Sequence, residues 1–84
     1  PHMGWNCTST RREDRLLAGL PDQPWFYFVH SYFAPLGDWT VAEADHGTKF
    51  SAIVRRENFA GVQFHPERSA AHGARLLENF LETS

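Results

Sequence analysis

Two residues in the last third of the chain, His65 and Glu67, are of the types that move protons. They flank Pro66 in the run Gly61-Val62-Gln63-Phe64-His65-Pro66-Glu67-Arg68-Ser69. In an extended backbone, residues i and i+2 project to the same side. Pro66 favours that geometry, because its ring fixes its own φ and steers His65 away from the helical region. A carboxylate beside an imidazole holds one tautomer and stabilises the ring when it takes a proton. The pair is therefore two-thirds of a nucleophile–His–acid triad. By spacing alone it is equally a strand-to-helix turn with a surface His and Glu, and such turns are the commoner occurrence.

A second histidine stands at a similar break. Trp25 to Val29 is an apolar run followed at once by His30-Ser31-Tyr32. In open α/β sheets, ligands bind outside the carboxyl ends of strands, so the two breaks suggest one shared rim. The chain holds a single thiol, Cys7, between Asn6 and Thr8. No predicted strand runs into Cys7 and no small residues frame it, so it lacks the setting of an activated nucleophile. The five histidines have no metal-ligand spacing, which argues against a zinc site.

The elements that would position these residues follow from the apolar pattern. Thr8-Ser9-Thr10 offers helix N-caps, and Arg11–Leu20 reads as one or two loose helical turns closed by Gly19 and Pro21. Trp25–Val29 is apolar on both faces, as a buried central strand is. Trp39–Ala44, Thr48–Arg55 and Phe59–Phe64 are separated by short turns, which implies mostly antiparallel pairing. Phe50, Ala52 and Val54 are predicted to share a face. Ser69 can cap a final helix over residues 69–82, with Ala70, Ala71, Ala74, Leu77 and Leu81 as its apolar stripe and Leu76 and Phe80 beside it. Gly73 within that helix points to close backbone packing.

Composition narrows the classes. Eighty-four residues allow one small domain. An apolar fraction of 42% with 14% aromatics suits a packed core. The net charge of −2 and mixed signs leave no basic stripe for nucleic acid, and no apolar run is long enough to span a bilayer. One cysteine excludes an internal disulfide and fits a reducing, cytoplasmic setting.

The run GVQFHPERS resembles the closing motif of class I glutamine amidotransferase domains. Pro1-His2-Met3-Gly4-Trp5-Asn6 and Phe26-Tyr27-Phe28-Val29-His30-Ser31-Tyr32 narrow the resemblance to the glutaminase subunits of the imidazole glycerol phosphate synthases of histidine biosynthesis. It covers nearly the whole chain, from Pro1 to about Leu81. It implies an α/β, flavodoxin-like domain of which residues 1–84 form the C-terminal part, with a mixed sheet that has an antiparallel section and a C-terminal helix. It also implies hydrolysis of L-glutamine to glutamate and ammonia, without metal or cofactor. His65 would be the base, Glu67 its orienting acid, and Ser31 and Tyr32 would bind glutamine. The ammonia would pass to a cyclase subunit, a (β/α)8 barrel, in a heterodimer. Trp5, otherwise either a core aromatic or an exposed anchor, would face that partner, as would Arg68, which stands where the family more often has Lys.

The nucleophile of the family sits on a glycine-flanked strand–turn–helix elbow, which these residues lack. One helix also cannot cover both faces of a sheet. The expectation is therefore a piece of a larger α/β domain, inactive alone. The rival is a non-catalytic α/β module that only binds a partner.

Overall fold

A computed structural model describes residues 2–30, 34–57 and 59–83. Its frame is a curled sheet of five strands in the order β2-β1-β3-β4-β5. These are β1 (His2–Thr10), β2 (Trp25–His30), β3 (Thr40–Asp45), β4 (Lys49–Arg56) and β5 (Phe59–Val62); single 3-10 turns at Arg15–Leu17 and Pro66–Arg68 and a C-terminal helix α1 (Ala70–Thr83) complete the chain. The expected antiparallel section covers every ladder: among the described residues all strand pairs are antiparallel. The three strands predicted over residues 39–64 are present, within one or two residues of their expected ends.

Residues 2–10 depart from expectation. They form a strand, whose residues His2–Cys7 pair with β2 and whose residues Thr8–Thr10 pair with β3. Gly4 lies at φ 130°, a conformation open to glycine, so β1 carries an irregularity that masks its strand pattern. Thr8 and Thr10 do not cap a helix. Their hydroxyls donate to the carbonyls of Pro24 and Asp22, at 2.9 and 3.1 Å, and fasten the loop before β2. The helical turn in this region is only Arg15–Leu17, and Asp14 caps it by accepting from the Leu16 N–H at 3.0 Å. The same carboxylate takes a bidentate pair of hydrogen bonds from Arg55 on β4.

The core gathers residues from several strands. Phe26 and Phe28 of β2, Phe50 and Ile53 of β4, Val41 of β3 and Phe64 are buried. The Phe26 and Phe64 rings stack at 3.8 Å, and Phe28 meets both Phe50 and Phe64 edge-on. Phe50 and Ala52 share the predicted face, but Ser51 and Ile53 are buried too, so β4 is covered on both sides.

Helix α1 turns a different side inward from the one its apolar stripe suggests. Ser69, Gly73, Leu76 and Asn79 are buried, whereas Ala70, Ala71, Ala74, Leu77 and Leu81 are exposed. Two polar interactions decide this. The Asn79 side-chain amide donates to the carbonyls of Leu16 and Ala18, each at 2.8 Å. Gly73 lets the helix close onto the Pro66 carbonyl, where a side chain would collide. Among the described residues no helix is long and apolar enough to cross a membrane.

Candidate active site

His65 follows the core residue Phe64 and keeps an extended backbone, φ −100° and ψ 98°. Pro66 then begins a 3-10 turn, since it has no N–H with which to continue a ladder. The geometry brings the two predicted proton-moving groups together: His65 Nδ1 lies 3.0 Å from Glu67 Oε2. An ionised carboxylate only accepts, so Nδ1 carries the proton, which in the neutral ring leaves the lone pair on Nε2. The carboxyl of Glu67 is held below the ordinary glutamate range. Its own main-chain N–H contributes most, then the His65 ring, with the charges of His65 and Arg68 behind them. The side chains are open, 42% exposed for His65 and 62% for Glu67. The pair is therefore an accessible imidazole beside a carboxylate that orients it.

The main chain of this segment is anchored along the outer edge of β2. Alternate residues of an antiparallel strand point their N–H and C=O groups to the same neighbour. Trp25 and Tyr27 point theirs away from β1. The Tyr27 carbonyl accepts from the His65 N–H at 2.9 Å. The Tyr27 N–H donates to the Ser69 hydroxyl at 2.8 Å, and that hydroxyl donates to the His65 carbonyl at 2.6 Å. The Trp25 N–H donates to His72 Nδ1 at 3.0 Å. Residues expected only to cap or decorate a helix thus occupy a strand edge. Nothing in the spelling of the sequence marks Ser69 for that task, because a serine before a helix reads first as a cap.

His65 sits beside Tyr27, in the middle of β2 rather than at its end. The return from β2 meets this segment one step earlier, where the Ala34 N–H donates to Gln63 Oε1 at 3.1 Å. Ser31 and Tyr32, the expected glutamine-binding residues, lie outside the described residues. Trp5 is half exposed and packs edge-on against Tyr27, with ring centroids 5.9 Å apart. Arg68 is exposed. Trp5 reaches Tyr27 from β1, while Arg68 adjoins Ser69, whose hydroxyl meets the opposite edge of β2.

Cys7 is half buried in the middle of β1, opposite Trp25. It lines a cleft of about 200 Å³ with Asn6, Ser9, Glu43, Ala44, Asp45 and Lys49. Among the described residues no histidine hydrogen-bonds to it, and no cluster of three or more His, Cys, Asp or Glu side chains could hold a metal ion.

The family model described as class-I glutamine amidotransferase matches residues 1–83. Imidazole glycerol phosphate synthase subunit HisH of Escherichia coli (strain K12) is 55% identical over 82 residues, which is 98% of this chain and 42% of that protein. HisH of Shigella flexneri and HisH of Salmonella typhimurium match at the same identity and coverage. The chain thus spans well under half the length of these curated relatives.

Proposed function

The chain belongs to the class-I glutamine amidotransferase family, and from that membership we propose that it is the base-bearing part of a glutaminase that feeds ammonia to a cyclase subunit. The observation that carries the reading is the 3.0 Å hydrogen bond between His65 Nδ1 and Glu67 Oε2, set within a chain that resembles HisH over nearly all its length. In this reading a thiol from the part of the protein outside these residues gives its proton to His65 Nε2 and attacks the amide carbon of L-glutamine. The imidazolium, steadied by Glu67, then protonates the departing nitrogen, and ammonia leaves. Water next attacks the thioester, again giving a proton to His65, and glutamate is released with the thiol restored. Glu67 stays ionised throughout and keeps the ring oriented.

The partner would be the (β/α)8-barrel cyclase of imidazole glycerol phosphate synthase, the whole acting in the cytoplasm as a heterodimer with hydrolase and lyase steps. Ser31 and Tyr32 would bind glutamine, and no metal or cofactor takes part. Trp5 and Arg68 would meet the cyclase. The deciding experiment is glutamate release by the whole protein with and without the cyclase. His65→Asn should abolish it while leaving the circular dichroism spectrum intact. Full activity in that variant would refute the assignment.

A second reading is favoured by one observation. Met3, Trp5 and Trp25 are 75%, 50% and 50% exposed on one face of the β1–β2 pair. Such a face suits a partner even without chemistry. A module of that kind would bind the cyclase and release no glutamate, so the same assay separates the two readings.

A further inference from the structure

We propose that Ser69 is a positioning residue for His65: its hydroxyl ties the His65 main chain to the edge of β2 and so fixes where the imidazole can sit. The inference rests on the glutaminase reading given above.

The argument begins with what holds the ring. The His65 side chain is 42% exposed and its ring contact is with Glu67, which is more open still. Packing therefore does little to fix the imidazole, and its location depends on the main chain beneath it. That main chain is held at two points. The direct one is the His65 N–H to the Tyr27 carbonyl. A regular ladder would supply the second by letting the Tyr27 N–H reach the His65 carbonyl. Here the Ser69 hydroxyl stands between them. It accepts from the Tyr27 N–H at 2.8 Å and donates to the His65 carbonyl at 2.6 Å.

The hydroxyl is thus a ladder rung made from a side chain. It is placed where Pro66 ends the strand and the chain turns away. Ser69 is 1% exposed, so water cannot replace the hydroxyl readily. Removing it would leave the Tyr27 N–H without its partner and the His65 carbonyl with only the Arg68 N–H, which lies within the turn and gives no tie to β2. The residue after Ser69 carries strain consistent with an imposed geometry: Ala70 lies at φ 51°, a left-handed conformation that an L-residue rarely adopts. Neither of these hydrogen bonds is a helix cap, because the Ser69 hydroxyl accepts from the strand and not from an N–H of α1.

The test uses the whole glutaminase that contains this segment. Ser69→Ala should lower kcat about 10- to 100-fold through displacement of the base. KM should change little, because an interaction that matters only to the transition state is lost. The His65 ring signals in nitrogen-edited spectra should shift while those of His46 stay. Ser69→Cys keeps a weak donor and acceptor and should fall between the two. A folded Ser69→Ala enzyme with kcat within about 2-fold of the unsubstituted protein overturns the proposal.

Should Ser69→Ala not fold, the unsubstituted protein decides. The Tyr27 amide should exchange with solvent as slowly as ladder amides, and loop-like exchange there overturns the proposal. Absence of glutamate release in the unsubstituted protein refutes the glutaminase reading instead, a result distinct from an active enzyme indifferent to Ser69.

Discussion

Gly73 of α1 lies so close beneath Pro66 that a β-carbon on it would overlap the Pro66 carbonyl oxygen and crowd Ser69. The overlap involves backbone, which cannot swing aside as a long side chain can. Gly73→Ala should therefore destabilise the whole protein by about 1–3 kcal/mol, the usual range for forced overpacking. Urea unfolding measures the loss. The same change pushes on the turn that carries His65 and Glu67, so glutamate release should fall by more than the unfolded fraction explains.

Ala70 offers the opposite test. Its φ of 51° costs an L-residue roughly 1–2 kcal/mol, and glycine avoids that cost. Glycine also gains freedom in the unfolded chain, which takes back part of the benefit. Ala70→Gly should leave a net gain of about 0.5 kcal/mol, read as a rise in melting temperature. A loss of stability would show that the conformation at this position is not strained.

Asp14 makes stability depend on acid. Burial pushes its carboxyl up, but hydrogen bonds from Arg55 and the Leu16 N–H, with the charges of Arg55 and Arg12, outweigh burial and hold it below the ordinary aspartate value. A carboxyl depressed in the folded state contributes stability that is complete above about pH 4 and is lost as pH falls through the depressed value. Asp14→Asn should lower stability at neutral pH by about 1–3 kcal/mol and flatten the acid side of a plot of melting temperature against pH. An unchanged acid slope would refute the role.

Glu67 should matter to rate and little to folding, since it is exposed and its partner is His65. Glu67→Gln preserves shape but removes the charge that steadies the imidazolium. Glutamate release should fall by about 100-fold or more, less than or similar to the loss known for triad acids. Steady-state kinetics with matched circular dichroism spectra check this.

Trp5 is the anchor expected on the partner face. Its half-exposed ring already packs edge-on against Tyr27, so little rotamer freedom is left to lose on binding. Trp5→Ala should weaken cyclase binding by about 2 kcal/mol, near 30-fold in Kd. Titration calorimetry with an unchanged affinity would remove Trp5 from the interface.

The strands over residues 39–64 were legible because short turns punctuate apolar runs there, and each strand pairs with the next. The His65–Glu67 contact was legible for a similar reason: Pro66 restricts the local backbone enough that spacing becomes geometry. Residues 2–10 were not legible as a strand. Gly4 breaks the pattern, and the partners of β1 lie far along the chain, where local spacing carries no information. The inner face of α1 was misread because its buried positions include a glycine and an asparagine, Gly73 and Asn79. Apolar periodicity cannot weigh a helix held by backbone closeness and by an amide bonded to the Leu16 and Ala18 carbonyls. Ser69 was hidden by its own plausibility as a cap.

The stitching of α1 to β2 also has a consequence in time. Neighbouring strands β3, β4 and β5 pair in sequence order, and hairpins of that kind form within microseconds. The Trp25–His72 and Tyr27–Ser69 hydrogen bonds join residues 47 and 42 positions apart. Contacts across such long loops form late, after their closure entropy has been met. Once formed, the Tyr27–Ser69 hydrogen bond is buried along with Ser69, so it should hold the seam closed in the native molecule. The geometry around His65 would therefore be the last feature to assemble on folding.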